Sequence, residues 1–265
     1  MVQLLLERRD IDQEKVNKIN GDTLLHTAVR GQNLSMVQLV LEKGEIDPDK
    51  VNKINGDTPL HTAVRGQNLS MVQLFLERGD IDPDKVNKIN GDTPLHTAVR
   101  GHNLSMVQLL LERGDIDPDK VNKMNDDTPL HTAVRDQNLE MVQLLLERGD
   151  INPDKVNKIS GDTPLHTAVR GQNRRMVQLL LERGDIDPDK VNKMNGDTPL
   201  HTAVRDQNLE MVQLLLERRD TNPDKVNKHN EAPMDVFKAR EGRMEEDNKI
   251  KRAIEELFKS KMPTT

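Results

Sequence analysis

Residues 55–89 read NGDTPLHTAVRGQNLSMVQLFLERGDIDPDKVNKI, and the fold follows from how this stretch is punctuated. Thr58 suits a helix N-cap, because its hydroxyl can accept from the first free amides. Pro59 suits the first helical position, where no N–H is needed. Leu60, Ala63 and Val64 then fall at i, i+3 and i+4, one apolar stripe. Gly66-Gln67-Asn68 breaks that helix. A second helix is predicted over Leu69–Arg78, with Leu69, Val72 and Leu76, and in part Met71 and Phe75, on its apolar side. Gly79 reads as its stop. Asp80 to Lys85 is turn chemistry, and Ile81 and Val86 are expected to fold back onto the helices.

The stretch is one of many. His-Thr-Ala-Val-Arg begins at His26, His61, His96, His131, His166 and His201, each 35 residues after the last. The predicted units are 20–54, 55–89, 90–124, 125–159, 160–194 and 195–229, six in all. Residues 1–19 read as a partial unit with the second helix and finger only, since Met1-Val2-Gln3-Leu4 matches the helix at Met36. A fragment, or translation starting inside a repeat, would account for that. Helices this short are marginal alone, below about 12 residues, and one helix pair has no closed core. Stacking buries each apolar stripe against the next copy, so stability is expected to be a sum over units and interfaces.

Composition agrees. Hydrophobic residues are 34% and charged residues 32%, and mean hydropathy is −0.74, which on average leans towards disorder. The apolar residues are clustered at fixed intervals, however, and with only Phe75, Phe237 and Phe258 as aromatics the core must be aliphatic. There is no cysteine, which excludes disulfides and thiolate metal sites. No apolar run reaches the roughly 18 residues of a membrane span, and no signal peptide opens the chain. A soluble protein working in a cytoplasm is expected, with no membrane partner. The net charge of −6 is interspersed with both signs, which argues against nucleic acid, since phosphate binding wants a concentrated basic surface.

Thr-Pro-Leu-His, complete in five units and Thr-Leu-Leu-His in the first, is followed by Ala and then by a Val-Gln-Leu-Leu-Leu-Glu-Arg-Gly helix end. This pattern resembles the ankyrin repeat, over nearly the whole chain. The resemblance implies an all-α fold: a curved ankyrin-repeat solenoid of stacked antiparallel helix pairs with projecting loop or hairpin fingers. It implies a concave face of first helices and finger tips that binds other proteins. Three features depart from the family. The period is 35 rather than the usual 33, with the extra residues in the finger. The inter-helix turn carries Gln32, Gln67, His102, Gln137, Gln172 and Gln207 where glycine is usual, so it is expected to rely on Asn or on a different backbone path. The opening unit lacks its first helix. At the other end, residues 230–265 read as a degenerate capping repeat and tail. Ala232 to Ala239 resembles a first helix with Asp235 in place of His. Ile250, Ala253, Ile254, Leu257 and Phe258 mark an amphipathic helix, either a cap or a docking helix.

Chemistry-bearing candidates are few. Layers about 8–10 Å apart cannot share a zinc ion that needs nitrogens within ~2 Å, and the resemblance gives the repeated histidine a structural role, its ring bonded to a neighbouring loop. His102 and His229 read as surface residues. Asp80-x-Asp82-x-Asp84 mimics the start of a calcium loop, but Lys85 stands where glycine is required and Gly91 where the bidentate Glu belongs. The sequons at Asn33, Asn68 and Asn103 read as helix starts. No catalytic residue, cofactor, metal or small-molecule substrate is expected, and no enzyme activity.

The resemblance places partner contacts beside the glycine preceding Thr-Pro and at the end of the first helix: Asp57, Asp92, Asp127, Asp162 and Asp197, with Arg65, Arg100, Arg135, Arg170 and Arg205. The alternative for these is a solvated face of compensating charge. Arg174 and Arg175 are the most distinctive local change between copies, either a contact or drift. The expected function is a protein–protein interaction scaffold, and near-identical arrays resemble host-directed effectors of intracellular bacteria, acting in the host cytosol. The alternative is a structural spacer in a longer protein whose activity lies upstream.

Overall fold

A computed structural model describes residues 16–42, 46–237 and 244–261. The expected helix at Met1–Leu6 and the tail at 262–265 lie outside the described residues. The chain divides into two compact units, Met1–Met124 and Asn125–Thr265. The division falls between the third and fourth 35-residue copies. Among the described residues there is no β-strand.

The first unit holds three helix pairs: α1 (Leu24–Arg30) with α2 (Leu34–Glu42), α3 (Pro59–Arg65) with α4 (Leu69–Leu76), and α5 (Pro94–Arg100) with α6 (Leu104–Leu111). First helices stack on first helices, α1 on α3 on α5, and second on second, α2 on α4 on α6. The second unit repeats the arrangement with α7 (Pro129–Arg135) and α8 (Leu139–Leu146), α9 (Pro164–Arg170) and α10 (Arg174–Leu181), and α11 (Pro199–Arg205) and α12 (Leu209–Glu217). Each unit stacks its helix pairs in layers, as the repeat predicts, with the fingers as loops.

Each first helix starts on a reciprocal cap. The Thr58 side chain accepts from the His61 amide, and the His61 ring reaches back to the Thr58 amide, with Pro59 in the first turn. Such capping contributes about 1 kcal/mol, useful in helices of seven residues. Each second helix is capped by asparagine, as where the Asn68 side chain accepts from Met71 N at 3.1 Å. The sequon asparagines Asn33 and Asn103 do the same.

The second helices differ from expectation. Leu69 is 41% exposed, while Met71 and Phe75 are fully buried, because the buried face is the set Met71, Val72, Phe75 and Leu76. The helix ends at Leu76, and Gly79 does not take a left-handed conformation. Its exit is set instead by Arg78. The Arg78 amide closes a tight bond to Phe75 O at 3.2 Å, and its guanidinium grips both Asp80 oxygens, at 2.9 and 2.6 Å.

The inter-helix turn keeps the left-handed path without glycine. Gln32, Gln67, His102, Gln137, Gln172 and Gln207 have φ between 51 and 56°, a conformation that costs roughly 1–2 kcal/mol for a residue with a Cβ. The expectation of a different path or an asparagine substitute is therefore corrected.

The second unit ends on a 3-10 turn, Pro233–Val236, packed on α11, and on α13 (Met244–Lys261), packed on α12. Ile254 and Phe258 are buried. Asp235 Oδ2 accepts from Ala232 N at 2.8 Å, doing for this turn what the histidine ring does elsewhere.

Candidate functional site

The structural elements that shape the surface are a clamp and a ladder. Asp57 is 1% exposed. Its Oδ1 accepts from Asn87 Nδ2, thirty residues on in the following finger, at 2.5 Å. Its Oδ2 accepts from Asn55 Nδ2 at 3.0 Å and pairs with Arg65 Nη2 at 3.2 Å. Asn87 is itself buried; it also donates to Asn55 O at 2.8 Å and accepts from the amides of Ile89 and Asn90. The same clamp recurs as Asn52 on Asp22, Asn122 on Asp92, Asn157 on Asp127, Asn192 on Asp162 and Asn227 on Asp197.

Beneath each clamp lies a histidine. The backbone N–H of Thr58 donates to His61 Nδ1 at 3.3 Å and the Thr58 hydroxyl lies 2.8 Å from the same atom. Nδ1 is therefore an acceptor, and Nε2 carries the proton that it donates to Asp92 O at 2.9 Å. His26, His131 and His166 make the same bond to the following copy, and His201 bonds Glu231 O. Burial holds the rings of His26, His61, His131 and His166 below the ordinary imidazole range, against the opposing pull of the carbonyl each one faces. These rings have both nitrogens satisfied and no open face for a substrate. Among the described residues no group of three or more His, Cys, Asp or Glu side chains is arranged to hold a metal ion, and no helix is long and apolar enough to cross a membrane.

The aspartates expected at the contact surface are thus interior. Asp57, Asp92, Asp127, Asp162 and Asp197 are at most 2% exposed, so in this structure they serve the surface by holding its arginines. Arg65, Arg100, Arg135, Arg170 and Arg205 each pair with the aspartate eight residues earlier, and their side chains remain 38–59% exposed. The charge of each arginine is compensated by its buried aspartate. Only the arginine half meets solvent. For Asp197, burial pushes the carboxyl up, but the hydrogen bonds from Arg205 and Asn227 outweigh it and hold it below the usual range.

Open clefts lie between consecutive arginines. Within the first unit one of about 300 Å³ has Arg30, Gln32, Arg65 and Asn68 at its walls, and one of about 190 Å³ has Arg65, Gln67, Arg100 and Asn103. Within the second unit Arg135, Gln137, Arg170 and Asn173 border a cleft of about 340 Å³.

Arg174 and Arg175 belong to neither row. They begin α10, a second helix, where both are exposed and Arg174 pairs with Glu210 at 3.1 Å. The calcium-like aspartates hold the fingers: Asp84 Oδ2 accepts from Asp117 N of the next finger at 2.8 Å, and within its own finger Asp82 Oδ1 accepts from Asp84 N at 2.9 Å. Burial raises the carboxyls of Asp49, Asp84, Asp154 and Asp189.

Sequence reasoning missed two sets of residues. One is the asparagine clamp, signalled only by the recurrent Val-Asn-Lys. The other is a row of exposed apolar finger tips, Ile19, Ile54, Ile89 and Met124 in the first unit and Ile159 and Met194 in the second. Their signal was an apolar residue at the 35-residue period with no helix to serve.

The family model described as ankyrin repeats (3 copies) matches residues 1–87, 67–155 and 150–228. Among solved structures, the ankyrin repeat domain of Bcl-3, described as a unique member of the IkappaB protein family, is 31% identical. Its TM-score is 0.76, over 91% of this chain and 99% of that one. The human ASB11 ankyrin repeat domain is 24% identical with a TM-score of 0.62, over 92% of this chain and all of that one, a likeness of fold alone. No curated protein matches the chain.

Proposed function

We propose, from the premise that this chain belongs to the ankyrin repeat family, that it binds an acidic protein surface along its arginine rungs and catalyses nothing. Ankyrin repeat domains mediate protein–protein interaction, and the family supplies the class of function. The observation that carries the finer reading is the half-anchored guanidinium. Arg100 spends its Nε and Nη2 donors on the buried carboxylate of Asp92, while its side chain stays 38% exposed. A guanidinium has five N–H donors, so donors remain for a partner's carboxylate. Ordering a long side chain on binding costs about 0.5–1.5 kcal/mol. The aspartate has already fixed these arginines, which reduces that cost at every rung.

The test replaces Arg100, Arg135 and Arg170 with glutamine. Glutamine is chosen over glutamate because a second carboxylate beside a buried one would unfold the unit. With the helical circular dichroism retained, the triple variant is expected to lose a partner that the parent captures from lysate, and the parent's capture is expected to weaken with added salt. Capture unchanged by the substitutions would remove the arginine rungs from the account. A spacer role is favoured by one observation, the near-identity of the rungs, and would show as an absence of any salt-sensitive partner.

A further inference from the structure

The row of finger tips is the feature that the arginine reading leaves unused. In the first unit Ile19, Ile54, Ile89 and Met124 are 89, 59, 64 and 57% exposed. Each follows an exposed lysine, Lys18, Lys53, Lys88 and Lys123, and among the described residues none of these lysines is ion-paired. A lone exposed aliphatic residue is unremarkable on a protein surface, but one at each of these four tips, beside a lysine with no ion pair among the described residues, is a pattern; in the second unit Lys158, before Ile159, pairs with Asp126 at 3.8 Å. The tips are not loose. Lys53 N donates to Gly21 O at 3.2 Å and Lys88 N to Gly56 O at 3.1 Å, so each tip is bonded to the one before it. Gly21, Gly56 and Gly91 have φ of 72 to 73°, and a Cβ on Gly56 would lie 2.9 Å from Lys88 N. Glycine is there because the next tip presses against it. The result is a pinned single file of alternating aliphatic and ammonium groups.

We infer that this file binds an extended acidic polypeptide segment carrying an aliphatic residue at every third position. The inference rests on the reading of the chain as a protein-binding module and deepens it at the finger tips by naming the ligand chemistry they fit. Stacked first helices set the rise per rung at about 8–10 Å. A polyproline-II segment turns once every three residues and advances about 9.3 Å in doing so, so its third-position side chains return to one face in step with the tips. Carboxylates between them meet the lysines. A file one residue wide fits a line of chain better than the plane of a lipid bilayer, which would engage a broad basic and apolar patch.

The test uses the full chain and a fluorescent peptide of four Leu-Glu-Pro repeats, read by anisotropy at low salt. A peptide of equal composition with its leucines gathered at one end is the register control, and vesicles of mixed phosphatidylcholine and phosphatidylserine are the lipid control. Binding of the in-register peptide alone is expected. The triple variant Ile54→Ser, Ile89→Ser, Met124→Ser is expected to raise Kd by about tenfold or more, since each buried aliphatic group contributes to affinity. Lys53→Glu with Lys88→Glu should do the same, Gln73→Glu with Gln108→Glu, exposed on the second helices, should leave Kd unchanged, and Arg65→Gln with Arg100→Gln is measured beside them. The substituted tips are exposed, so the variants are expected to fold, which thermal unfolding checks. Absence of peptide binding by the parent chain, equal binding of both peptides, or a preference for vesicles would overturn the inference and leave the arginine reading intact. Loss of peptide binding only in the arginine variant would also overturn it, and would favour that reading.

Discussion

Acidification should unfold this chain with a steepness set by its buried histidines. In His26, His61, His131 and His166 the ring is held below its ordinary range, with burial the largest cause. Geometry opposes protonation as well, since Nδ1 already faces the backbone N–H of its threonine, at 3.3 to 3.4 Å. A folded pKa below the unfolded value of about 6.5 means that the unfolded chain takes up protons first. The stabilisation is therefore complete above about pH 6.5 and is lost as pH falls from there towards the depressed folded value. Where the unfolded ring is charged and the folded one still neutral, each such histidine contributes a slope of at most about 1.4 kcal/mol per pH unit, and the four together at most about 5.5 kcal/mol per unit. Asp49, Asp84, Asp154 and Asp189 work in the opposite direction. Their raised carboxyls bind protons more readily in the fold, so their contribution is lost as pH rises through the folded value and opposes the histidines only at the acid end. The assay is urea unfolding followed by helical circular dichroism at pH 7.5, 6.5 and 5.5. Stability unchanged between the two lower values would show that these rings protonate in the fold as freely as in the open chain, and would refute the reasoning.

Asn87→Ala should cost about 3 kcal/mol in urea unfolding, because it strips a donor from a buried carboxylate and leaves two amides without their acceptor; Asn192→Ala should cost less, its bond to Asp162 being 3.4 Å against 2.5 Å. Gln67→Gly and Gln172→Gly should each stabilise the chain by about 0.5–1 kcal/mol, since relief of the left-handed strain, about 1–2 kcal/mol, exceeds the added freedom of glycine in the unfolded chain; a fall in the unfolding midpoint would sink that reasoning. Gly56→Ala should destabilise by about 2 kcal/mol or more, through positive φ and contact with Lys88, whereas Gly79→Ala, whose added carbon would meet nothing within 4 Å, should be neutral within about 0.5 kcal/mol; thermal melts of the two variants decide it.

Much of this fold was legible because its local signals agree. Thr58, Pro59, the Leu60, Ala63 and Val64 stripe and the 35-residue period all point to the same short helix. The histidine's tie to the next copy came from the family resemblance, and its tautomer from atoms that spacing cannot position. The surface was less legible. Asp57 and Arg65 read as neighbours of opposite sign, but only the fold shows that Asn87, thirty residues away, draws the aspartate inside and leaves the arginine out. Ile54 and Ile89 were invisible as a site because period and propensity mark what a residue could pack against, and these stay largely exposed. Gln67 misled for a related reason. Residue type forecasts a preference, and stacking on both sides imposes a conformation against it.

The central claim is that each copy is completed by its neighbours, through a shared core, a histidine and an asparagine clamp. Excising residues 55–89 joins Ile54 to Asn90 and so recreates the Ile89–Asn90 junction with one copy fewer. Urea unfolding of that shortened chain beside the parent is the most direct test. The expected result is a folded, helical chain with a lower midpoint and a smaller dependence on urea, since one copy and one interface are gone. An unchanged midpoint would contradict the claim, because it would mean that the copies hold themselves together without one another.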